Sequence, residues 1–451
     1  MEYCVQIGEW AFCPMKLLLW HGDAKDSNVL AALAEMPDAI KVRETQESLK
    51  KIDWKRVALN PFQISRAGIC VSRNCQLRCR YCSECSTECQ KTELSNADII
   101  AFVEDLMAKG VARSMLTGST IELKVIFTGG GEPTYEFNKF KDLVLEIRRL
   151  GKENNISVSL DITTNGAYDI ARVGFICDHF DSVMVSYDGL PEIQDYNRPS
   201  PHYKHTSHVV VQTIKEFSSR YKNLIVRTTI LPKDISRLRE MADHVFGSFG
   251  ISITWSIFPV TPKGRGKYIS NDDFDACDFY GAFTDALHYA EEKYGKVKMS
   301  SPLFSKYMND FYCGSLGFLT RVAWLREDGR IVTCLEMGND ETVIGHVDHG
   351  VVSYKESCED SLVKITQQKM KECCGCIAFP FCRGGCPADH RAYELNNGTG
   401  LSWACKQTIA YWNDLLHRLT LGQSGLEWQM VPAERICAKS VQFYTMEREP
   451  Q

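Results

Sequence analysis

Between residues 62 and 266, short apolar runs alternate with longer stretches in which apolar positions recur every three to four residues. The short runs predict strands at Ala67–Val71, Leu123–Thr128, Val158–Thr163, Ser182–Tyr187, Leu224–Ile230 and Ile251–Phe258. Asn96–Lys109 and Asn138–Leu150 carry helical periodicity between them, and Ser95 stands where an N-cap belongs. This alternation predicts an α/β fold around a parallel sheet. In such sheets ligands gather beyond the C-terminal ends of the strands. Residues 267–305 read as a helical linker, Thr408–Leu421 as an amphipathic stretch, and the remainder as an irregular tail. Residues 1–61 show no three-strand pattern and read as a cap or a remnant recognition segment.

Composition narrows the function classes. The chain has 451 residues, 44% of them hydrophobic and 24% charged, which is ordinary for a globular protein of two or three domains. Aromatic residues at 10% exclude disorder as the dominant state. A formal net charge of −5 argues against a nucleic-acid binder, whose domain would be strongly basic. No run of eighteen apolar residues exists, so no membrane span is expected. The start Met1-Glu2 lacks a basic region of the secretory type, which predicts a cytoplasmic protein. In that compartment 20 Cys point to metal sites rather than disulfides.

Two cysteine constellations stand out. Cys75, Cys79 and Cys82 form a C-x3-C-x2-C run. Three thiolates suit an iron–sulfur cluster with one iron left open, whereas structural zinc takes four protein ligands. Further on, Cys313 and Cys334 are followed by Cys373-x2-Cys376-x5-Cys382-x3-Cys386 and by Cys405. By ligand type alone these seven suit iron–sulfur or zinc sites. The first constellation favours iron throughout. Cys4, Cys13, Cys70, Cys177 and Cys437 read as small hydrophobes, and Cys85 and Cys89 as thiols outside the triad or alternative ligands.

The triad, with Tyr81 before its third Cys, resembles the cluster loop of the radical S-adenosylmethionine (SAM) superfamily. Thr128-Gly129-Gly130-Gly131-Glu132-Pro133-Thr134 is similar to that superfamily's SAM-binding segment, and the C-terminal cysteines resemble the SPASM extension. The resemblance spans roughly residues 62–410. It implies a partial (β/α)6 barrel over 62–266, a cysteine-rich α+β domain over 306–410 and a helix with tail over 411–451. It implies SAM and three 4Fe–4S clusters, one on Cys75, Cys79 and Cys82. A second would take Cys373, Cys376, Cys382 and Cys405, and a third Cys313, Cys334 and Cys386. The third lacks a fourth ligand, because residues 278–312 contain no Cys; an open iron, Cys277, Cys358 and Cys374 are the alternatives. SAM contacts are expected from Gly129, Gly130, Gly131, Glu132, Pro133, Thr164, Asn165, Ser186, Asp188 and Arg198. Asn165-Gly166 and Asp188-Gly189 also read simply as turns.

The resemblance implies reductive cleavage of SAM and abstraction of a substrate hydrogen, most often from a ribosomally made peptide that is oxidised or crosslinked. A flavodoxin- or ferredoxin-type reductant is the implied partner. Anaerobic sulfatase maturation and radical modification of a carbohydrate or small metabolite are the enzyme alternatives. Sulfatase maturases of this type carry Asp directly after the Cys matching Cys334, where this chain has Leu335 and Glu336. An electron carrier without catalysis would not need the Gly129–Thr134 segment. No catalytic acid or base is identified by pattern.

Overall fold

The computed structural model describes residues 4–7, 10–13, 18–35, 64–86, 93–118, 121–221, 224–269, 271–304, 322–337, 342–355, 385–386, 388, 390–391, 402–420, 428–430 and 443–448. The six expected strands are β1 (Arg66–Ile69), β2 (Glu122–Phe127), β3 (Ser157–Thr164), β4 (Ser182–Ser186), β5 (Leu224–Ile230) and β6 (Thr254–Pro259). All six are parallel and lie side by side in chain order. The expected helices are present and longer than the pattern suggested, at Asn96–Thr117 and Phe137–Glu153. Ser95 accepts from the amide of Asp98, as an N-cap does. On Phe137–Glu153 the buried Phe140, Leu143, Val144, Ile147 and Leu150 form one stripe at helical spacing. Phe140 meets Phe127 of β2 edge to face at 5.1 Å, fixing this helix on the sheet.

The sheet runs past the six-strand unit on both sides. Lys298–Ser300 (β7) pairs in parallel with β6, so the segment expected to be a helical linker contributes a strand as well as the helix Phe279–Tyr294. On the other side Val322–Leu325 (β8) pairs in parallel with β1. Arg330–Val332 (β9), Val343–Asp348 (β10) and Val351–Tyr354 (β11) continue from it as an antiparallel meander. Trp324 of β8 lies opposite Gly68 of β1, and a Cβ on Gly68 would sit 1.9 Å from the Trp324 ring. The missing side chain makes room for the ring, which closes the β1–β8 seam.

The N-terminal segment departs from expectation. Val5–Ile7, Trp10–Cys13 and Leu18–His21 form an antiparallel three-stranded meander, followed by the helix Ser27–Glu35. The tail is regular where it is described: Phe443–Arg448 pairs with Leu18–His21 and with Trp428–Met430. These strands are only three to six residues long, which hid them in the sequence. The amphipathic stretch belongs to a longer helix, Trp403–Thr420. No helix among the described residues is long and apolar enough to cross a membrane.

Candidate active site

The triad loop leaves the C-terminal end of β1 and alternates in direction. Cys75, Leu77, Cys79 and Tyr81, with Cys82, line a cavity of about 360 Å³. Arg78 and Arg80 between them are exposed. The glycine segment leaves the end of β2 and locks against this loop. Gly131 donates its amide to Ser72 O at 2.7 Å, and Glu132 donates to Asn74 O at 2.8 Å. A Cβ on Gly131 would lie 2.0 Å from Asn74 O. Gly130 has φ +66° and would place a Cβ 2.7 Å from Ser72 O. The glycines therefore serve a close backbone approach between the two loops, in addition to any ligand they face.

The Glu132 side chain lines the cavity and also fastens its wall. Its Oε1 accepts from Thr134 Oγ1 at 2.8 Å, Thr134 N at 3.3 Å and Thr164 Oγ1 at 2.7 Å. Its Oε2 accepts from the amide of Asn165 at 2.8 Å. The carboxylate thus ties the β2 loop to the end of β3. Burial pushes this carboxyl above its ordinary range, against the pull of those donors. Replacing Glu132 by Gln sets an amide NH2 against a backbone N–H whichever way it turns, that of Asn165 or that of Thr134. The expected cost is about 1–3 kcal/mol, read as a lower melting temperature with secondary structure retained. A variant as stable as the parent would show that the clamp is not needed.

A second clamp joins β4 to the triad loop. Asp188 accepts from Tyr81 Oη at 2.6 Å, Arg198 Nε at 3.1 Å and Thr229 N at 3.3 Å. Arg198 also lies over the Tyr81 ring at 5.3 Å. The thiols lie in a dry setting: burial pushes Cys75 up to about 12 and Cys79 up to about 11, the latter against the pull of Arg198. Thiols this poorly solvated stay protonated at neutral pH, and a bound metal is what would ionise them.

The C-terminal meander braces the same loop. Arg326, in the β8–β9 turn, pairs with Glu84 at 2.8 Å and Glu327 at 3.4 Å, and Arg73 pairs with Glu327. Arg73 and Glu84 flank the triad, so the turn grips both ends of the cysteine loop. Arg265 donates its amide to Cys82 O at 3.0 Å, and a Cβ on Gly264 would stand 2.4 Å from the same oxygen.

Of the residues expected to hold SAM, Gly129, Gly130, Gly131, Glu132, Thr164, Asn165, Ser186 and Arg198 line the cavity, while Pro133 and Asp188 stand behind its wall. Cys386 lines it too. Cys334 is next to the lining pair Leu335 and Glu336, and Cys405 is next to the lining residue Ala404. Cys313, Cys373, Cys376 and Cys382 lie outside the described residues, as do Cys89, Cys358, Cys374 and Cys437. Lining residues that the sequence did not mark include Arg227, Thr229 and Phe258 at strand ends, and Phe274, Leu303 and Trp403. The strand-end rule reaches the first three, because period-two alternation on β5 turns Arg227 and Thr229 inward. Nothing local marks the others, which arrive by tertiary packing such as the Phe274–Trp403 contact at 5.1 Å.

A family model described as the Radical SAM superfamily matches residues 69–245, a span that contains the triad, the glycine segment and both clamps. Residues 69–245 thus carry a radical SAM domain, and the chain is an enzyme. It is 22% identical over 348 residues to the cysteine-type anaerobic sulfatase-maturating enzyme of Clostridium perfringens, covering 72% of this chain and 90% of that one. Among solved structures, native anSMEcpe with bound AdoMet superposes with a TM-score of 0.61 at 18% identity, covering 80% of this chain and 100% of that one. Streptococcus suis SuiB bound to S-adenosylmethionine superposes with a TM-score of 0.52 at 13% identity, covering 84% and 86%.

Proposed function

We propose that this chain is a SAM-dependent radical enzyme that oxidatively modifies or crosslinks a ribosomally synthesised peptide. The observation that carries the reading is the single cavity onto which the triad, the glycine segment and the C-terminal Cys386 all open. The donor set fits the groups it would take. Three soft thiols from one loop line the cavity together, a donor set that suits an iron–sulfur cluster. Cys75, Cys79 and Cys82 would hold the cluster. The Gly129–Gly131 backbone, Thr164, Asn165, Ser186 and Arg198 would hold SAM. When bound, the pair supplies one-electron cleavage of the sulfonium and hydrogen abstraction from an unactivated C–H bond. The protein's part is to orient the substrate and exclude water. Phe258, Val260, Leu303, Leu335 and Trp403 provide the apolar wall for this.

Peptides are favoured as substrates because structures similar in fold carry them: anSMEcpe with bound Cp18Cys peptide, and SuiB bound to its precursor peptide SuiA. Sulfatase-type maturation is the second reading, favoured by the Clostridium perfringens relative. Against it, Leu335, directly after Cys334, is apolar and packs beside Gly129. Glu336 one residue on is paired with Lys263 at 3.3 Å.

The test is anaerobic turnover of the reconstituted chain with SAM, dithionite and candidate peptides, read by mass spectrometry. Loss of two hydrogens per event supports oxidation or crosslinking. An aldehyde at a former Cys, with sulfur replaced by oxygen and two hydrogens lost, or at a former Ser, with two hydrogens lost, would move the assignment to formylglycine formation. Peptides unchanged while a small metabolite is modified would overturn the peptide reading. Iron analysis of the same sample is expected to give about 12 Fe per chain from three four-iron clusters. A value near four would remove the two auxiliary clusters.

A further inference from the structure

We infer that Asn165 sets how readily the metal site on the triad accepts an electron, by donating a hydrogen bond to the Cys75 sulfur. This role rests on the proposed function, which places an iron–sulfur cluster on Cys75, Cys79 and Cys82.

Two N–H groups converge on the Cys75 sulfur. One is the backbone amide of Leu77, at 3.4 Å, which belongs to the loop itself. The other is Nδ2 of Asn165, at 3.6 Å, within hydrogen-bond range for an acceptor as large as sulfur. Asn165 stands at the end of β3, 90 residues along the chain. The side chain cannot present its oxygen to the sulfur instead. Its Oδ1 accepts from the amide of Ala167 at 2.9 Å and from Gln76 Nε2 at 3.0 Å. Turning the amide over would set its NH2 against both of those donors. Gln76 is anchored in turn. Its Nε2 also donates to Ala167 O at 2.8 Å, and its backbone oxygen accepts from Ser200 Oγ at 2.9 Å. The amide of Asn165 is held by Glu132 Oε2 at 2.8 Å. Asn165 is only 8% exposed, so bulk water has little access to the contact.

A hydrogen bond to a metal-bound thiolate favours the form of the site that carries more negative charge, and that is the reduced form. The effect is larger in a dry pocket than in water. Removing the donor therefore makes the site harder to reduce, and a carboxylate in its place makes it harder still. The couple is a one-electron one: the metal site on the three thiolates gains one electron, and the reductant, dithionite in vitro, loses it. Asn165 is in this respect a positioning residue that acts through Cys75 and needs no SAM to do so. Gln76, directly after Cys75, holds it in place.

The experiment is a redox titration of the reconstituted holoenzyme without SAM, followed by electron paramagnetic resonance. The signal of the triad is the one absent when Cys75, Cys79 and Cys82 are replaced by Ala. Asn165→Asp keeps an oxygen for Ala167 and Gln76 but turns a second oxygen to the sulfur. Its reduction equilibrium is expected to fall at least about tenfold, a midpoint potential lower by about 59 mV for one electron. Asn165→Ala should shift less in the same direction, and carries the test where Asn165→Asp takes up no iron. Gln76→Leu leaves the Asn165 amide without one anchor and should shift least. A merely structural role would lower iron content or melting temperature without moving the potential of the iron retained. Potentials equal to the parent's in the Asn165 variants would overturn the inference while leaving the proposed function intact. A parent with no signal that the triple replacement removes would sink the cluster assignment and this role with it.

Discussion

Replacing Cys75, Cys79 and Cys82 together by Ala is expected to abolish 5′-deoxyadenosine formation and to lower iron from about 12 to about eight per chain. The expectation follows from where the thiols sit. Cys75 and Cys79 are desolvated enough that their thiol form is favoured without metal, the former being pushed up to about 12. Removing them therefore takes no stabilising charge from the folded chain. The loop keeps its other fastenings: Gly131 N to Ser72 O, Arg326 to Glu84, and Tyr81 to Asp188. The triple variant should fold and retain the iron held by the C-terminal cysteines. Circular dichroism, iron analysis and product assay on one preparation separate these outcomes. SAM cleavage by the triple variant with dithionite would show that the reacting metal site lies elsewhere, and Cys386 would then be the place to look.

How much of this was legible in the sequence depends on the range of the interaction. The six central strands announce themselves because each is an apolar run with helical periodicity on either side, and β1 to β6 pair in chain order. The triad and the glycine segment are equally visible, and the rule that loops at strand ends share a rim brings them together. What stayed hidden is long-range. β8 pairs with β1 from far downstream, and only the structure reveals that Gly68 is small because Trp324 lies over it. The ion pairs from Arg326 and Glu327 to the cysteine loop carry no local signature, since a charged turn normally reads as solvated. Motif reading also blurs roles. Glu132 is named by its motif as a ligand contact, yet its side-chain oxygens are committed to Thr134, Thr164 and Asn165. Asp188 is likewise committed to Tyr81 and Arg198. Glu132 organises the site from its wall, and Asp188 from behind it.

Gly131→Ala is expected to be the most damaging single methyl in the site. Its backbone is not in the left-handed region, so the cost comes entirely from contact. The new Cβ would meet Asn74 O at 2.0 Å and Arg73 C at 2.7 Å, both backbone atoms that cannot rotate away. Relief requires the triad loop and the glycine loop to separate. That breaks the bonds from Gly131 N to Ser72 O and from Glu132 N to Asn74 O. Overpacking of this kind costs about 3 kcal/mol or more. In a domain of this size that corresponds to a melting temperature lower by about 6–12 °C. The separation should also loosen Cys75, directly after Asn74, so the reconstituted variant should lose iron from the triad before iron from the C-terminal cysteines. Gly118→Ala is the matched control: it sits at φ +68° with no atom within 4 Å of the added methyl. Its cost is the left-handed backbone alone, about 1–2 kcal/mol, with iron content and SAM cleavage unchanged. Equal melting temperatures for the two variants would mean that the loops do not pack as closely as the Gly131 geometry requires. The glycine segment would then owe its composition to its ligand alone.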